Sequence, residues 1–138
     1  MGACAKKEEG PSQAEKDEEI IQNFLADNEL DAEATGSGLY VLIDEEGVGD
    51  NPTIYDEVTV HYTGYLTNGE IFDLTGFDPA TFPLSNVIQG WQEGIPYFKP
   101  GGKGTLFIPS HLGYGSSQSG SIPPNSVLIF DIELVSIN

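Results

Sequence analysis

Hydrophobic and polar positions follow two different periods along the chain, helical near its start and alternating from Leu39 onward. In the helical part, Ser12 and Glu15 have the spacing of a capping box, in which each side chain bonds the backbone N–H of the other residue. The apolar positions that follow share one helix face: Ile20, Ile21, Phe24 and Leu25. The pattern predicts that residues 14–36 form a helix and a polar linker, with the helix packed on the main domain or on a dimer partner.

Beyond the linker, apolar residues occupy alternate positions in several short runs, which is typical of β-strands with one buried face. The clearest runs are 39–43, 58–66 and 128–134. Asn68-Gly69 is a strong signal for a hairpin turn, and a short helix capped by Ser85 is expected to carry Val87, Ile88 and Trp91. Antiparallel strands with one exposed face and a short central helix predict an α+β fold.

Charge and composition narrow the classes of partner. The 138 residues suit one domain, and 5 lysines and arginines against 22 acids give a net charge of −17. Because phosphates repel such a chain, nucleic acid and anionic membrane surfaces are excluded as partners. No apolar run reaches the roughly 18 residues of a membrane-spanning helix. With a single cysteine and with His61 and His111 far apart, the sequence predicts neither an internal disulfide nor a metal site.

The first residues carry a separate signal. Residues 1–13 contain no aromatic or branched aliphatic side chain, so we expect a flexible tether. Gly2-Ala3-Cys4 resembles the end of a bacterial lipoprotein signal, which implies a location in the bacterial cell envelope with a lipid anchor on Cys4 as the only membrane attachment. The alternative is an inert cysteine in a cytoplasmic protein. N-myristoylation is disfavoured, because Lys6 stands where Ser or Thr is required.

Six short motifs follow one another along residues 37–138. They are Val60-His61-Tyr62-Thr63-Gly64, Phe72-Asp73, Val87-Ile88-Gln89-Gly90-Trp91, Leu112-Gly113-Tyr114-Gly115, Ile122-Pro123-Pro124-Asn125 and the run 128–134. In order and approximate spacing, the set resembles the FKBP-type peptidyl-prolyl isomerases. The resemblance implies a domain over 37–138 in which an antiparallel sheet of five to six strands curls around the short helix, with an N-terminal helical extension.

The same resemblance implies a role for each of ten residues. Trp91 would form the floor under a proline ring, with walls from Tyr62, Phe72, Phe82, Val87, Ile88 and Phe130. The Ile88 N–H and the Tyr114 hydroxyl would bond substrate carbonyls. Asp73 would lie at the rim, oriented by Tyr62, and Ile122 would close the pocket.

Prolyl isomerisation suits a pocket of this composition. The obstacle is amide resonance, with a barrier of ~18–20 kcal/mol, and overcoming it requires neither a nucleophile nor a metal. A dry aromatic pocket favours the twisted amide, because twisting reduces the charge separation of the planar form. We therefore expect an isomerase without a cofactor, acting on Xaa-Pro bonds of polypeptides, with macrolides as an implied class of inhibitor. The alternative is a non-catalytic chaperone or proline-peptide binding module on the same fold.

Two departures from the family pattern affect the pocket. The segment after Asp73 is short, and the position where the well-known single-domain members carry a pocket phenylalanine falls on Ala80. Phe77 is the candidate to replace that ring. The loop between Tyr114 and Ile122 is also short and rich in serine, which indicates a polar, mobile loop. Both departures concern substrate preference and macrolide affinity more than the fold.

Overall fold

The computed structural model describes residues 11–138. The strands are β1 (Glu33–Ala34), β2 (Tyr40–Glu45), β3 (Glu57–Tyr65), β4 (Ile71–Leu74), β5 (Ala80–Pro83), β6 (Lys103–Ile108) and β7 (Leu128–Ile137). The helices are α1 (Gln13–Asp27) and α2 (Gln89–Gly94), and short 3₁₀ turns cover Leu84–Asn86, Ile95–Tyr97 and Ser110–Leu112. Over this range no helix has the length and apolar character needed to cross a membrane.

The strands form one antiparallel sheet in the order β1-β2-β6-β7-β3-β4, with β5 also paired to β3. The predicted α+β class, with an antiparallel sheet curled around a short helix, is confirmed. The sheet has seven strands instead of five to six. One of them, β1, lies in the predicted polar linker: Gly36 and Gly38, both with positive φ, reverse the chain so that Ala34 pairs with Tyr40.

The concave face of the sheet holds the main core, and α2 lies against it. The core includes Val58, Val60, Leu106, Ile108, Leu128, Phe130, Ile132 and Leu134. Two glycines allow α2 to approach closely, since an added Cβ would lie 2.6 Å from Ile108 at Gly90 and 2.6 Å from Leu106 at Gly94. This close contact places Trp91, on the first turn of α2, among the strands.

The prediction that Ser85 caps the short helix is wrong. Ser85 lies inside the 3₁₀ turn Leu84–Asn86, whose first N–H donates to the Asp56 carbonyl at 2.9 Å. The chain is then extended at Val87 and Ile88, and Ile88 is the N-cap of α2, without a side-chain cap. The chain thus leaves the helical conformation after Asn86, and the extended pair that follows lines the cavity described below.

On the convex face, α1 covers a second, smaller core. As predicted, Ser12 and Glu15 form a reciprocal capping box, with distances of 3.2 and 2.8 Å. The helix begins at Gln13, and residues 1–10 of the predicted tether lie outside the described part of the chain. Ile21 and Leu25 are buried against side chains of the sheet and of the segment before β7: Tyr40, Phe107, Val127 and Ile129. The apolar stripe therefore packs on the same domain, apart from Ile20, which is 40% exposed.

Candidate functional site

An apolar cavity of about 340 Å³ opens beside α2. Its lining comes from β3, β4, β5, α2, β7 and two loops: Tyr62, Asp73, Phe82, Asn86, Val87, Ile88, Trp91, Tyr114 and Phe130. A second depression, of about 370 Å³, lies on the opposite face of the sheet, where polar side chains such as His61, Asp131 and Lys103 surround it. The cavity beside α2 is the better candidate for a ligand site, because it has aromatic walls with a few polar groups, as binding pockets typically do.

Three aromatic rings surround the indole of Trp91. Tyr62, Phe82 and Phe130 meet it at centroid distances of 5.1, 5.7 and 5.3 Å, each at an interplanar angle of 86°. Edge-to-face contacts of this kind suit the charge distribution of aromatic rings and fix their orientation. Trp91 is only 4% exposed, and its Nε1–H is buried without an acceptor among residues 11–138. The result is a rigid apolar floor.

Gly64 makes room for the neighbouring wall. A Cβ at this position would lie 2.7 Å from Phe130 and 2.8 Å from Phe72. These two rings pack edge to face, with centroids 5.5 Å apart. The absence of a side chain at Gly64 therefore lets β4 and β7 bring their phenylalanines together across β3.

Polar groups at the rim are anchored to β3 and β4. The Tyr62 hydroxyl donates to Oδ2 of Asp73 at 2.8 Å. Burial, and secondarily the Asp73 carboxylate, raise the pKa of Tyr62 well above the usual value for a tyrosine. The hydroxyl of Thr75 accepts from the Tyr62 backbone N–H at 3.0 Å, and the Thr75 N–H donates to the Tyr62 carbonyl at 2.9 Å. Tyr62 is thus held at both its backbone and its hydroxyl.

The side chain of Gln92 holds the extended segment at Val87 and Ile88. Its Nε2 donates to the Val87 carbonyl at 2.9 Å and to the Ser85 carbonyl at 3.3 Å. The Ile88 N–H donates to no acceptor within the described range. A backbone donor at the wall of an apolar cavity can bond a carbonyl of a bound peptide.

Tyr114 lines the same cavity, from the loop between β6 and β7. The residue is 40% exposed, so it lies at the mouth of the cavity and not in the core. A smaller cavity of about 190 Å³ adjoins the first and shares Asp73, Tyr114 and Phe130 with it. Phe72 and Ile122 also line this side, and Ile122 is buried and bridged to Ser119 within the serine-rich loop.

The structure therefore brings the ten residues singled out by the sequence to one place. Eight line the cavity at Trp91, and Phe72 and Ile122 line the adjoining one. Sequence reasoning missed Asn86 at the rim and the supporting residues Thr75 and Gln92. No motif marks these three, because each acts through a tertiary hydrogen bond or through its place in the folded loop.

Phe77 does not replace the aromatic ring missing at Ala80. It is 98% exposed, in the loop between β4 and β5. Phe82, two residues after Ala80 on β5, packs on Tyr62 and Trp91 instead. The centroid of its ring lies 6.2 Å from that of Tyr62 and 5.7 Å from that of Trp91. The register that pairs Phe82 with Val58 places this ring at the cavity. The aromatic wall is therefore formed without Phe77.

Comparisons with known proteins agree on one family. Residues 49–135 match the family model of the FKBP-type peptidyl-prolyl cis-trans isomerases. The chain is 42% identical over 136 residues to the FKBP-type peptidyl-prolyl cis-trans isomerase FkpA of Aeromonas hydrophila. The match covers 91% of this chain and 51% of that protein. The chain is also 42% identical over 113 residues to the peptidyl-prolyl cis-trans isomerase Mip of Coxiella burnetii. That match covers 80% of this chain and 49% of the Coxiella protein.

Solved structures show the same likeness. FkpA of Escherichia coli superposes with a TM-score of 0.82 at 39% identity, covering 99% of this chain and 64% of the other. A peptidyl-prolyl cis-trans isomerase of Pseudomonas syringae gives a TM-score of 0.77 at 30% identity, covering 93% and 98%. The chain spans about half the length of the Aeromonas and Coxiella relatives.

Proposed function

The chain belongs to the FKBP-type peptidyl-prolyl cis-trans isomerase family, and from that premise we propose that its cavity at Trp91 catalyses cis–trans isomerisation of Xaa-Pro bonds in polypeptides. The observation that carries the proposal is the enclosure of one apolar floor by aromatic walls, with the polar groups Asp73, Tyr114 and the Ile88 N–H confined to its edge. A proline ring is apolar and its flanking carbonyls are polar, so the cavity complements both parts.

Catalysis follows from differential binding of the twisted amide. In the planar ground state, resonance separates charge between oxygen and nitrogen, and water stabilises that charge. The aromatic cavity removes the water, and the twisted state, with less charge separation, loses less by the transfer. Each tenfold gain in rate requires only about 1.4 kcal/mol of such preference.

Hydrogen bonds at the rim would hold the substrate in the twisted geometry. The Ile88 N–H would donate to one peptide carbonyl and the Tyr114 hydroxyl to another. Asp73, fixed by Tyr62, would present a negative charge near the reacting amide. Trp91, Phe82 and Phe130 would contact the ring of the proline.

Refolding of a protein whose slow step is prolyl isomerisation tests the proposal. We expect this chain, at a small fraction of the substrate concentration, to accelerate the slow phase, because a catalyst turns over. If the protein binds the unfolded chain but accelerates nothing, or acts only at stoichiometric concentration, the domain is a binding module and the proposed activity is wrong.

Macrolide inhibitors are a further proposed ligand class for the same cavity. The support is the family membership and the cavity volume of about 340 Å³. A macrolide should compete with a proline peptide for binding, and Trp91 fluorescence should report both ligands, since the indole forms the floor. Simultaneous binding of both ligands would contradict a shared site.

We also propose that the protein is a lipoprotein of the bacterial cell envelope, with the lipid on Cys4. The support is the sequence Gly2-Ala3-Cys4 and the charged run that follows it. Expressed from its own gene, the protein should incorporate labelled fatty acid and sediment with membranes, and Cys4→Ser should do neither. Recovery of the unmodified protein in the cytoplasmic fraction would support the cytoplasmic alternative.

A further inference from the structure

A buried carboxylate joins α1 to the loop that carries Tyr114. Asp17 has no exposed surface, although it lies on the second turn of a surface helix. Its Oδ2 accepts from the backbone N–H of Ser110 at 2.8 Å and from the Ser110 hydroxyl at 2.5 Å. Its Oδ1 accepts from Nε2 of Gln13 at 2.8 Å. Three donors therefore compensate for the removal of the carboxylate from water.

Ser110 connects this carboxylate to both sides of Tyr114. The Ser110 carbonyl accepts from the N–H of Gly113 at 3.0 Å and from the N–H of Gly115 at 2.8 Å. These two residues flank Tyr114, so the backbone on each side of the tyrosine is tied to Ser110. Ser110 itself is tied to Asp17, across 93 positions of the sequence.

Packing alone does not require a carboxylate at this position. Ile21 and Leu25 already bury the apolar face of α1 against the convex side of the sheet. A buried carboxylate is stabilising only when donors surround it, so it adds a directional constraint that apolar contacts lack. The residue that this carboxylate constrains is Ser110, which begins the turn leading to Tyr114 at the rim of the cavity.

We propose that Asp17 is a positioning residue for the isomerase site: it holds Ser110 so that the Tyr114 hydroxyl is fixed at the cavity rim. The inference rests on the proposed function, since it assigns Tyr114 a bond to the substrate. It makes the N-terminal helix part of the catalytic unit, because the helix supplies the carboxylate that orders the loop.

The kinetic test compares Asp17→Ala with Ile21→Ala, a substitution on the same helix that removes packing without touching Ser110. Both variants should be less stable than the native protein, so rates are measured where each is fully folded. Asp17→Ala should lower kcat about fivefold with KM nearly unchanged, because a misplaced hydroxyl loses orientation in the twisted state. Ile21→Ala should leave kcat at the native value. Equal kcat for Asp17→Ala and the native protein would overturn the proposal.

Two further variants make the test independent of folding defects. Asp17→Asn keeps an acceptor for the Ser110 N–H, so its kcat should lie between those of the native protein and Asp17→Ala. In a Tyr114→Phe background, Asp17→Ala should have little further effect, because the positioned hydroxyl is already absent. Full additivity of the two substitutions would show that Asp17 does not act through Tyr114.

Hydrogen exchange separates failure of this inference from failure of the proposed function. The Gly113 and Gly115 amides bond Ser110, so Asp17→Ala should speed their exchange more than Ile21→Ala does. This readout needs no substrate. A native protein without isomerase activity would refute the proposed function, whereas unchanged protection at Gly115 in Asp17→Ala would refute the link from Asp17 to the loop.

Discussion

Tyr62 joins the apolar and polar parts of the cavity through one side chain. Its ring packs on Trp91 and Phe130, while its hydroxyl donates to Asp73 at the rim. The bond requires the protonated phenol, and burial disfavours the phenolate. Tyr62 therefore remains a donor well above neutral pH, and Asp73 keeps a fixed orientation over that range.

The raised pKa of Tyr62 predicts a pH-dependent loss of stability on the alkaline side. The unfolded chain releases this proton near pH 10, whereas the folded protein retains it to higher pH, so the stabilising contribution is present below about pH 10 and declines above it. The urea midpoint should fall more between about pH 8 and about pH 11 for the native protein than for Tyr62→Phe. Parallel decreases in the two proteins would contradict the assignment.

At the scale of elements, α2 depends on glycines that face β6. Gly90 lies directly before Trp91, and its close approach to Ile108 sets the distance between helix and sheet. The same helix carries Gln92, which holds the segment with the Ile88 donor. A displacement of α2 would therefore disturb the floor and one wall of the cavity together.

Gly90→Ala should destabilise the fold and impair the cavity. The new Cβ would lie 2.6 Å from the Ile108 side chain in a closely packed core, so we expect a loss of about 1–3 kcal/mol in the free energy of unfolding. Gly76→Ala is the matched control, because no heavy atom lies within 4 Å of the added Cβ. Urea denaturation of both variants checks the prediction. Equal midpoints would show that the core at Ile108 adapts freely.

The elements that the sequence predicts best are those whose signals are local. The capping box of α1 involves residues three positions apart, and the Asn68-Gly69 turn joins adjacent strands, as predicted. The predicted start of α2 at Ser85 is wrong, because no local signal marks the extended pair Val87 and Ile88 that separates the turn at Ser85 from the helix. Strand β1 was missed for a similar reason, since it exists only through pairing with β2.

Site residues were predictable where motifs contain them and not where they act through tertiary contacts. The ordered motifs led to Trp91, Tyr114 and Asp73, which share one cavity in the fold. The bond between Asp17 and Ser110 has no local signature, because neither residue type marks a carboxylate that becomes buried only after α1 docks. Residues that support the site in this way can be identified only once the packed structure is known.

At the scale of the whole molecule, acidic residues outnumber basic ones by a wide margin. The net charge is −17, and the ion pair found in residues 11–138 joins Lys103 to Glu45 at 3.9 Å on the surface. Exposed pairs of this kind contribute little to stability. Repulsion between carboxylates is therefore the main long-range electrostatic effect on the folded domain.

The charge predicts that salt stabilises the protein. Screening weakens repulsion between carboxylates more than it weakens a single exposed ion pair. The urea midpoint at neutral pH should therefore rise between about 20 mM and about 500 mM sodium chloride. A constant or falling midpoint would mean that the acids lie too far apart to repel one another.

The most direct test of the central claim is the rate of cis–trans exchange in an Xaa-Pro peptide, measured by NMR exchange spectroscopy with catalytic amounts of protein. The native chain should accelerate exchange, and Tyr114→Phe, Asp73→Ala and Trp91→Ala should each lower kcat/KM, Trp91→Ala the most. Tyr55→Phe, at a residue 94% exposed and outside the cavity, should match the native rate. Absence of acceleration by the native protein, or native rates in all three cavity variants, would contradict catalysis at this site.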